Sequence, residues 1–309
     1  MPEAKLYKAD MHCHSRYSGM VKHLRFLRAR DCYSQPIDVY RRAKARGMDL
    51  VTITDHDSID GCLDLLNRFG EMPDFVIGEE VTARLPEFKH EIHVGVYGHN
   101  EAQHREIQAL RGNAVELVNY LRQNQLLHVL NHFFHDFWNA ARVREFVERM
   151  AEMFSVFEVR NGTLQREHNA FIVALLEGLR RRGRHVSVVA GSDSHTLRRI
   201  GRSYTASPAR SREEFLADIR AGRSQVFGPH SNHLSLAADI YGVVLRYYPA
   251  VLSVRNGEFS APSRVEKLFL SLAAAPFLVA PYIAAIRHMR TERSRIKQFS
   301  HRLTGAPQR

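Results

Sequence analysis

Two histidines near the start of the chain, separated by a single residue, are the first side chains that could do chemistry. Residues 9–20 read ADMHCHSRYSGM, so Asp10, His12 and His14 are spaced two apart. In a β-strand, residues with this spacing point to the same face. Burying three polar groups there is costly unless something compensates them, and a divalent ion such as zinc, manganese or iron would do so. The alternative is a set of polar residues on the solvated face of an edge strand.

Further polar residues stand where later apolar runs end. The strand-like runs cover residues 49–57, 74–83, 90–98, 126–133, 154–162 and 185–195. The polar residues at these ends are Asp55, His56, Asp57, Glu79, Glu80, His93, His132, Glu158, Asn161, Asp193 and His195. In a closed barrel such ends point into one mouth. The pattern predicts a basin rich in oxygen and nitrogen ligands, without thiolates, that could hold two or three divalent metals.

Segments of helical periodicity separate these runs. They cover residues 35–47, 102–124, 140–153 and 165–183, and the first has proline near its start and glycine at its end, as helix boundaries prefer. Strands alternating with helices predict parallel βαβ units and an α/β fold.

Composition excludes several classes of protein. The 309 residues, 44% of them hydrophobic, suffice for one large α/β domain or a domain with an appendage. Three cysteines without CxxC spacing indicate neither a disulfide framework nor a thiolate zinc site. The start, MPEAKLYKAD, has no secretory signal. We therefore expect a cytoplasmic protein.

The net charge of +11 is concentrated at the C-terminus. From Arg287 to Arg309 there are seven Lys or Arg and one Glu. Such a tail suits an anionic surface, either lipid or nucleic acid, or it is a solvated terminus.

The region after residue 230 changes character and is expected to form a helical extension over 231–309, following a barrel domain over 1–230. Ser263 and Glu266 form a capping box, and residues 268–286 carry no charge. This run is at the threshold length for crossing a bilayer, but it contains two prolines. It could be a hairpin packed on the barrel or in a dimer interface, an interfacial membrane attachment, or a span.

The motifs together resemble the PHP (polymerase and histidinol phosphatase) superfamily over about residues 5–230. Its hallmarks appear in order: His12 and His14, TDH with His56, GEE with Glu80, two separate histidines at 93 and 132, and GSDSH with Asp193 and His195. The resemblance implies a distorted (β/α)7 barrel that hydrolyses phosphoesters with two or three metals.

The resemblance also implies a ligand set. A first metal would take His12, His14, Glu80 and Asp193, and Glu80 would bridge to a second metal held by His93 and His132. A third would take His56 and His195, but the positions where relatives supply one more ligand hold Gly19 and Met20. His23 or Asp31, in what looks like an insertion, could replace it. Asp10 and Asp55 are expected to orient the histidines.

The remaining predicted roles concern turnover. Metal-bound water would attack phosphorus, His195 would protonate the leaving oxygen, and Asp55 completes the predicted catalytic pair. Asn161, Arg160 and Arg199, or Arg198, are the predicted substrate contacts. The expected substrate is a small phosphorylated metabolite or a nucleotide. The alternatives are a nuclease acting on nucleic-acid ends, carbon–nitrogen hydrolysis, and a non-catalytic, metal-occupied module whose C-terminal hairpin, residues 263–309, meets a membrane or a partner. A homodimer is left open.

Overall fold

A computed structural model describes residues 5–252 and 264–304 of this α/β chain. Its strands are β1 (Tyr7–Ala9), β2 (Val51–Ile53), β3 (Phe75–Leu85), β4 (His90–Tyr97), β5 (Leu127–Leu130), β6 (Val156–Asn161), β7 (Ser187–Gly191), β8 (Tyr204–Ser207) and β9 (Gln225–Phe227). Its α-helices are α1 (Pro36–Ala45), α2 (Asp60–Phe69), α3 (Glu101–Leu110), α4 (Ala114–Gln123), α5 (Val143–Met153), α6 (Arg166–Arg181), α7 (Arg212–Arg220), α8 (His233–Leu252), α9 (Arg264–Ala274) and α10 (Pro281–Thr304). Short 3₁₀ helices cover Lys22–Leu27, Pro86–Phe88, Ala140–Arg142 and Ala275–Leu278.

A curled six-stranded sheet, ordered β2-β3-β4-β5-β6-β7, forms the wall around the site. β2 and β3 are parallel, β3, β4 and β5 are antiparallel neighbours, and β5, β6 and β7 are parallel. The expectation of parallel units throughout is therefore wrong at β3 and β4. Only residues 86–89 join these strands, whereas a parallel crossover needs a dozen residues or more.

The segment after β1 lies between the two ends of this sheet. β1 itself pairs with β8, in a small sheet ordered β1-β8-β9. Beyond β1, Met11 N donates to Ala190 O at 3.3 Å, and Thr54 N donates to Cys13 O at 2.8 Å. Residues 11–13 therefore contact both the β7 end and the β2 end of the larger sheet.

Apolar side chains explain why these strands form. All three residues of β2 are buried, as expected for a strand covered on both faces. On the outside, α5 buries Phe146, Val147 and Met150 against the sheet. The predicted helix over 102–124 is instead two helices, because Asn113 caps α4 by accepting a hydrogen bond from Val115 N.

The C-terminal helices pack on the rest of the molecule in two places. α10 places Phe299 in the largest core cluster, with ring centroids 5.1 Å from Phe134 and 5.9 Å from Phe137. α8 and α9 instead form a cluster with residues around Leu27 and Tyr33. The predicted capping residue Ser263 and the end of the basic tail, 305–309, lie outside the described residues.

The uncharged run 268–286 is not one straight helix. Its prolines fall in the 3₁₀ turn Ala275–Leu278 and at the start of α10. Among the described residues no single helix is long and apolar enough to cross a membrane, and only the pair Val265–Leu278 and Pro281–Thr304, bent by 56°, meets the criterion together.

Candidate metal centre

Glu80, in β3, lies at the middle of the predicted ligand cluster and is fully buried. One carboxylate oxygen, Oε1, is 2.9 Å from Nε2 of His132 and 3.3 Å from Nδ1 of His93. The other, Oε2, is 3.2 Å from Nε2 of His12 and 3.1 Å from Nδ1 of His56. One carboxylate thus faces imidazoles from four segments, which is the geometry expected of a bridging ligand.

Asp193 provides a second carboxylate beside the first histidine pair. Its Oδ1 is 3.6 Å from Nε2 of His12 and 3.4 Å from Nε2 of His14. Its other oxygen accepts hydrogen bonds from Asn161 Nδ2 and Thr163 Oγ1, each at 3.1 Å. Asp193 has a φ of +49°, an uncommon backbone conformation for a residue with a side chain.

The extended backbone after β1 directs both histidines inward, as the spacing predicts. Cys13, between them, points the other way and donates from Sγ to Thr52 O. The chain passes so close to β7 that a Cβ on Gly191 would collide with His12. Glycine is therefore required at residue 191.

Hydrogen bonds fix which nitrogen of each histidine faces the centre. His12 Nδ1 is 3.0 Å from Glu158 Oε1, and His14 Nδ1 is 2.8 Å from Ser18 Oγ. Ser18 donates its own proton to Asp55 Oδ1 at 2.9 Å, so its oxygen is left to accept from His14. Both rings then carry a proton on Nδ1, and Nε2 is the nitrogen that faces the centre, an arrangement typical of metal-ligating histidines.

Asp10, the other expected orienting carboxylate, acts on the backbone and not on an imidazole. It accepts from the backbone N–H of His12, Ser192 and Gly201. Burial raises the pKa of Asp10 to about 6, although these hydrogen bonds oppose the shift. It ties the strand ends together beneath the histidines.

Asp31 lies where the missing third-site ligand is needed. Its Oδ2 is 3.0 Å from Nε2 of His195 and 3.3 Å from Nε2 of His56. Gly19 has no side chain, and Met20 is 53% exposed. The side chain of His23, the other candidate, lies outside the described residues.

The electrostatics of the cluster are those of a cation site. Burial lowers the pKa of His12, yet the negative charges of Glu80, Asp193 and Glu158 outweigh burial and hold this pKa well above its usual value. Burial and the neighbouring His195 lower the pKa of His14 to about 3. Several buried atoms have no hydrogen-bond partner among the described residues: His12 Nε2, His14 Nε2, Glu80 Oε2, His93 Nδ1 and His132 Nδ1. Because such orphaned atoms are costly and imidazole with carboxylate suits zinc, manganese or iron, the residues present fit divalent metals.

The structure does not bring the predicted phosphate-binding arginines to the centre as free cations. Arg199 is only 4% exposed, and its guanidinium is taken up by Asp239, the carbonyl of Gly162 and Ser231. Arg198 also binds Asp239. This geometry speaks against a substrate contact by Arg199.

Arg160 and Asn161 likewise have partners within the protein. Arg160 lies 2.6 Å from Nε2 of His230. Asn161 is buried and donates to Glu158 at 3.0 Å as well as to Asp193. Asn161 therefore holds two carboxylates of the cluster in place. This role differs from the predicted contact with substrate.

Three residues near the centre were missed or underrated in the sequence. His135, which has no role in the predicted ligand set, has its ring 4.9 Å from that of His93 and 4.7 Å from that of His132. Thr163 binds Asp193, and Glu158 orients His12. The spacing of His132 and His135 in NHFFH was the one available signal.

Glu79 does not join the predicted basin, because successive side chains along β3 point to opposite faces and Glu79 therefore faces away from the centre. It lies 3.1 Å from His99 and 2.9 Å from His104. His99 is buried as well.

Comparisons with known proteins find related sequences for part of the chain. The profile of a family described as PHP-associated matches residues 181–224, which include Asp193 and His195. An uncharacterised protein of Methanocaldococcus jannaschii is 38% identical over 77 residues, 24% of this chain and 43% of that protein. The chain thus spans less than half the length of this relative.

Solved structures of similar shape cover about seven tenths of the chain. PsfC of Pseudomonas syringae aligns with a TM-score of 0.51 at 18% identity, over 73% of this chain and 92% of its own. This likeness shows a shared fold and nothing further. An amidohydrolase of Chromobacterium violaceum gives 0.48 at 16% identity, over 70% and 97%. A proposed metal-dependent phosphoesterase of Bifidobacterium adolescentis gives 0.39 at 14%, over 69% and 95%. Scores as low as these last two carry no argument.

Proposed function

Because this chain belongs to the PHP superfamily, we propose that it is a metal-dependent phosphoesterase. The observation that carries the proposal is the convergence of buried imidazoles on the two carboxylates of Glu80 and Asp193, with ligand atoms that lack hydrogen-bond partners. The expected substrate is a small phosphorylated metabolite or a nucleotide. A nuclease is the alternative, which the net charge of +11 favours.

We propose two buried metal positions and a third, more exposed one, occupied by zinc, manganese or iron. The ligands of the first are His12, His14, Glu80 and Asp193. The ligands of the second are Glu80, His93 and His132. The ligands of the third are His56, His195 and Asp31.

Bound metals would supply a water of lowered pKa and positive charge for the phosphate oxygens. The chain itself orients this chemistry: Glu158 holds His12, and the Ser18–Asp55 pair holds His14. Asp55 is thus proposed as a positioning carboxylate. When the third position is empty, burial lowers the pKa of His195, but the charge of Asp31 outweighs burial and raises this pKa to about 9. We propose His195 as the group that protonates the leaving oxygen when it does not hold a third metal.

We also propose that β1 and residues 10–14 act as the seventh strand of a distorted (β/α)7 barrel. Hydrogen bonds to the two ends of the larger sheet support this: Met11 N donates to Ala190 O, and Cys13 O accepts from Thr54 N.

The test compares two histidines of the same stretch, His132→Gln in the centre and His128→Gln outside it. His128 sits on β5 and bonds the carbonyl of Leu126, away from Glu80. Metal content by elemental analysis and phosphate release from mononucleotides, sugar phosphates and short oligonucleotides would be measured for each variant and the wild type. We expect the wild type and His128→Gln to bind at least two metals and release phosphate. His132→Gln should lose metal and most of its activity. Metal binding without turnover of any phosphoester would replace the enzyme with a non-catalytic binding module, and absence of metal from the wild type would reject the site.

We further propose that the protein is cytoplasmic and that its C-terminal helices attach it to a membrane surface. Val265, Leu268, Phe269 and Leu272 form an exposed apolar stripe on α9, each more than 60% exposed. Their spacing of three and four residues places them on one helix face, and exposed arginines and a lysine follow on α10. A second copy of the chain covering the same face, giving a homodimer, is the alternative.

A further inference from the structure

A cavity of about 310 Å³ opens beside the metal centre, between the barrel and the C-terminal helices. Its walls come from residues 21–33, from α8, and from the region where α9 meets the following 3₁₀ turn. The side chains that matter are Leu27, Ile240, Val243, Tyr247, Ala274 and Phe277. Apart from Asp31, these elements contain none of the residues proposed as metal ligands.

The lining of this cavity is apolar over most of its surface. Two charged residues of the wall, Asp239 and Arg30, already have partners: the carboxylate of Asp239 is bound by Arg198 and Arg199, and the guanidinium of Arg30 donates to Arg16 O at 2.9 Å. The hydroxyl of Thr163 likewise has hydrogen-bond partners within the protein, Asn161 and Asp193. A ligand rich in hydrogen-bonding groups, such as a nucleobase, would lose water there without regaining partners, which is costly.

One end of the cavity is the metal centre itself. Asp31, Asp193 and His195 line the cavity and also belong to the proposed ligand sets. A molecule with its apolar part in the cavity would therefore present its other end to the metals. The volume gives room for about ten groups of methylene size at about 30 Å³ each.

We propose that the substrate is a phosphomonoester of an apolar alcohol, with an alkyl or aryl group of about ten carbon atoms seated in this cavity. The inference rests on the proposed phosphoesterase function and narrows its substrate class. Water adds to phosphorus, the bond from phosphorus to the ester oxygen breaks, and that oxygen takes a proton. The products are the apolar alcohol and inorganic phosphate.

The test uses the full chain loaded with manganese or zinc and two substrates that differ only in the apolar part, decyl phosphate and methyl phosphate. We expect kcat/KM to favour decyl phosphate by at least about 100-fold, because the longer group is removed from water. Val243→Trp fills the cavity and should lower this ratio at least about tenfold. Leu245→Trp, on the exposed side of the same helix, should leave the ratio unchanged. Ala274→Leu serves as the second cavity-filling variant if Val243→Trp fails to fold.

The outcomes separate this inference from the function on which it rests. Three results would overturn the inference and leave the phosphoesterase intact. The first is turnover of both phosphates with a kcat/KM ratio near one. The others are a ratio that Val243→Trp and Ala274→Leu leave unchanged, and a preference for AMP over decyl phosphate. If no phosphoester is hydrolysed, the proposed function fails, and calorimetry then decides about the cavity. Binding of decyl phosphate that Val243→Trp abolishes supports the apolar site, and absence of binding rejects it.

Discussion

The hydroxyl of Ser18 links a buried carboxylate to a proposed metal ligand, and a single substitution removes it. It donates to Asp55 and accepts from His14 Nδ1. Ser18→Ala should lower metal affinity about 10- to 100-fold, because His14 loses the contact that fixes its tautomer. Metal titration measured by calorimetry checks this. Ser18→Thr keeps the hydroxyl and should restore most of the affinity. Equal affinity in wild type and Ser18→Ala would contradict the proposed orienting role.

Asp31 is the carboxylate shared by His56 and His195, so its charge should decide whether a third metal binds. Asp31→Asn keeps the shape and removes the charge. We expect the variant to bind one metal fewer. Its kcat should be about 10- to 100-fold lower, which is the usual loss when a group that supports a metal ligand is removed. Elemental analysis after dialysis against buffered metal gives the count. Asp38→Asn, at the start of α1, is the matched control. A full metal count in Asp31→Asn would show that the third position does not need this carboxylate.

The sequence contains enough to predict which side chains converge on Glu80, but not all of what surrounds them. Spacing of two puts His12 and His14 on one face whatever the fold, so their proximity follows from strand geometry. Asp31 reaches His195 only through the path of residues 20–33, for which no periodicity exists. The partners of Arg199 come from Gly162, Ser231 and Asp239, so its burial could not be read from its position after GSDSH. The roles of the converging residues as ligands remain predictions.

Among the elements, alternation of strand and helix signals predicts the α/β class correctly but misjudges one connection. The signal for the β3–β4 hairpin was present in the short stretch LPEFKH, which is too brief for a crossover. The hairpin matters for the site, because Glu80 and His93 stand on its two antiparallel strands. The split of residues 102–124 was also visible in Gly112 and Asn113, a helix-breaking and a capping residue.

The anchoring of α10 depends on a buried carboxylate, which gives the element a pH-dependent contribution to stability. Glu292 pairs with Arg295 and lies 3.1 Å from Nδ1 of His168 on α6. Burial opposes ionisation, but His168 and Arg295 depress the pKa of Glu292 from 4.5 to about 2. A depressed carboxyl pKa adds stability above the unfolded value and loses it as the pH falls towards the folded value. Here the contribution is about 3 kcal/mol at neutral pH.

Glu292→Gln should therefore lower the free energy of unfolding by about 3 kcal/mol at pH 7. The gap between variant and wild type should shrink by about half at pH 3.5, since much of the linkage is lost between about pH 4.5 and 2. Urea unfolding at both pH values measures it. Glu266→Gln, on α9, provides a carboxylate outside this network. A gap that is constant with pH would assign the loss to packing and not to charge.

At the scale of the whole molecule, the C-terminal helices connect three features. α10 is built into the main core through Phe299. The apolar cavity is lined by Ala274, at the end of α9, and by Phe277, in the 3₁₀ turn that follows. The outer side of α9 carries the exposed apolar stripe. A substrate that is itself partly apolar would thus be held by the same helix that faces the proposed membrane surface, and the extension and the barrel would then act as one functional unit.

The exposed stripe leads to the last prediction, which concerns where the molecule binds. The full chain should float with vesicles of phosphatidylcholine and phosphatidylglycerol, and bind less to phosphatidylcholine alone, because basic side chains on α10 favour anionic lipid. Phe269→Asp should weaken binding about 10- to 100-fold, since burying one large apolar side chain contributes about 1.5–3 kcal/mol. Phe69 on α2 is also exposed but lies outside the stripe, so Phe69→Asp should leave binding unchanged. If the wild type stays with the aqueous fraction but elutes as a dimer that Phe269→Asp converts to a monomer, the stripe is a contact between two copies of the chain. A wild type that is monomeric and does not bind vesicles would reject both membrane attachment and the homodimer, because the apolar face would then contact neither lipid nor a second copy of the chain.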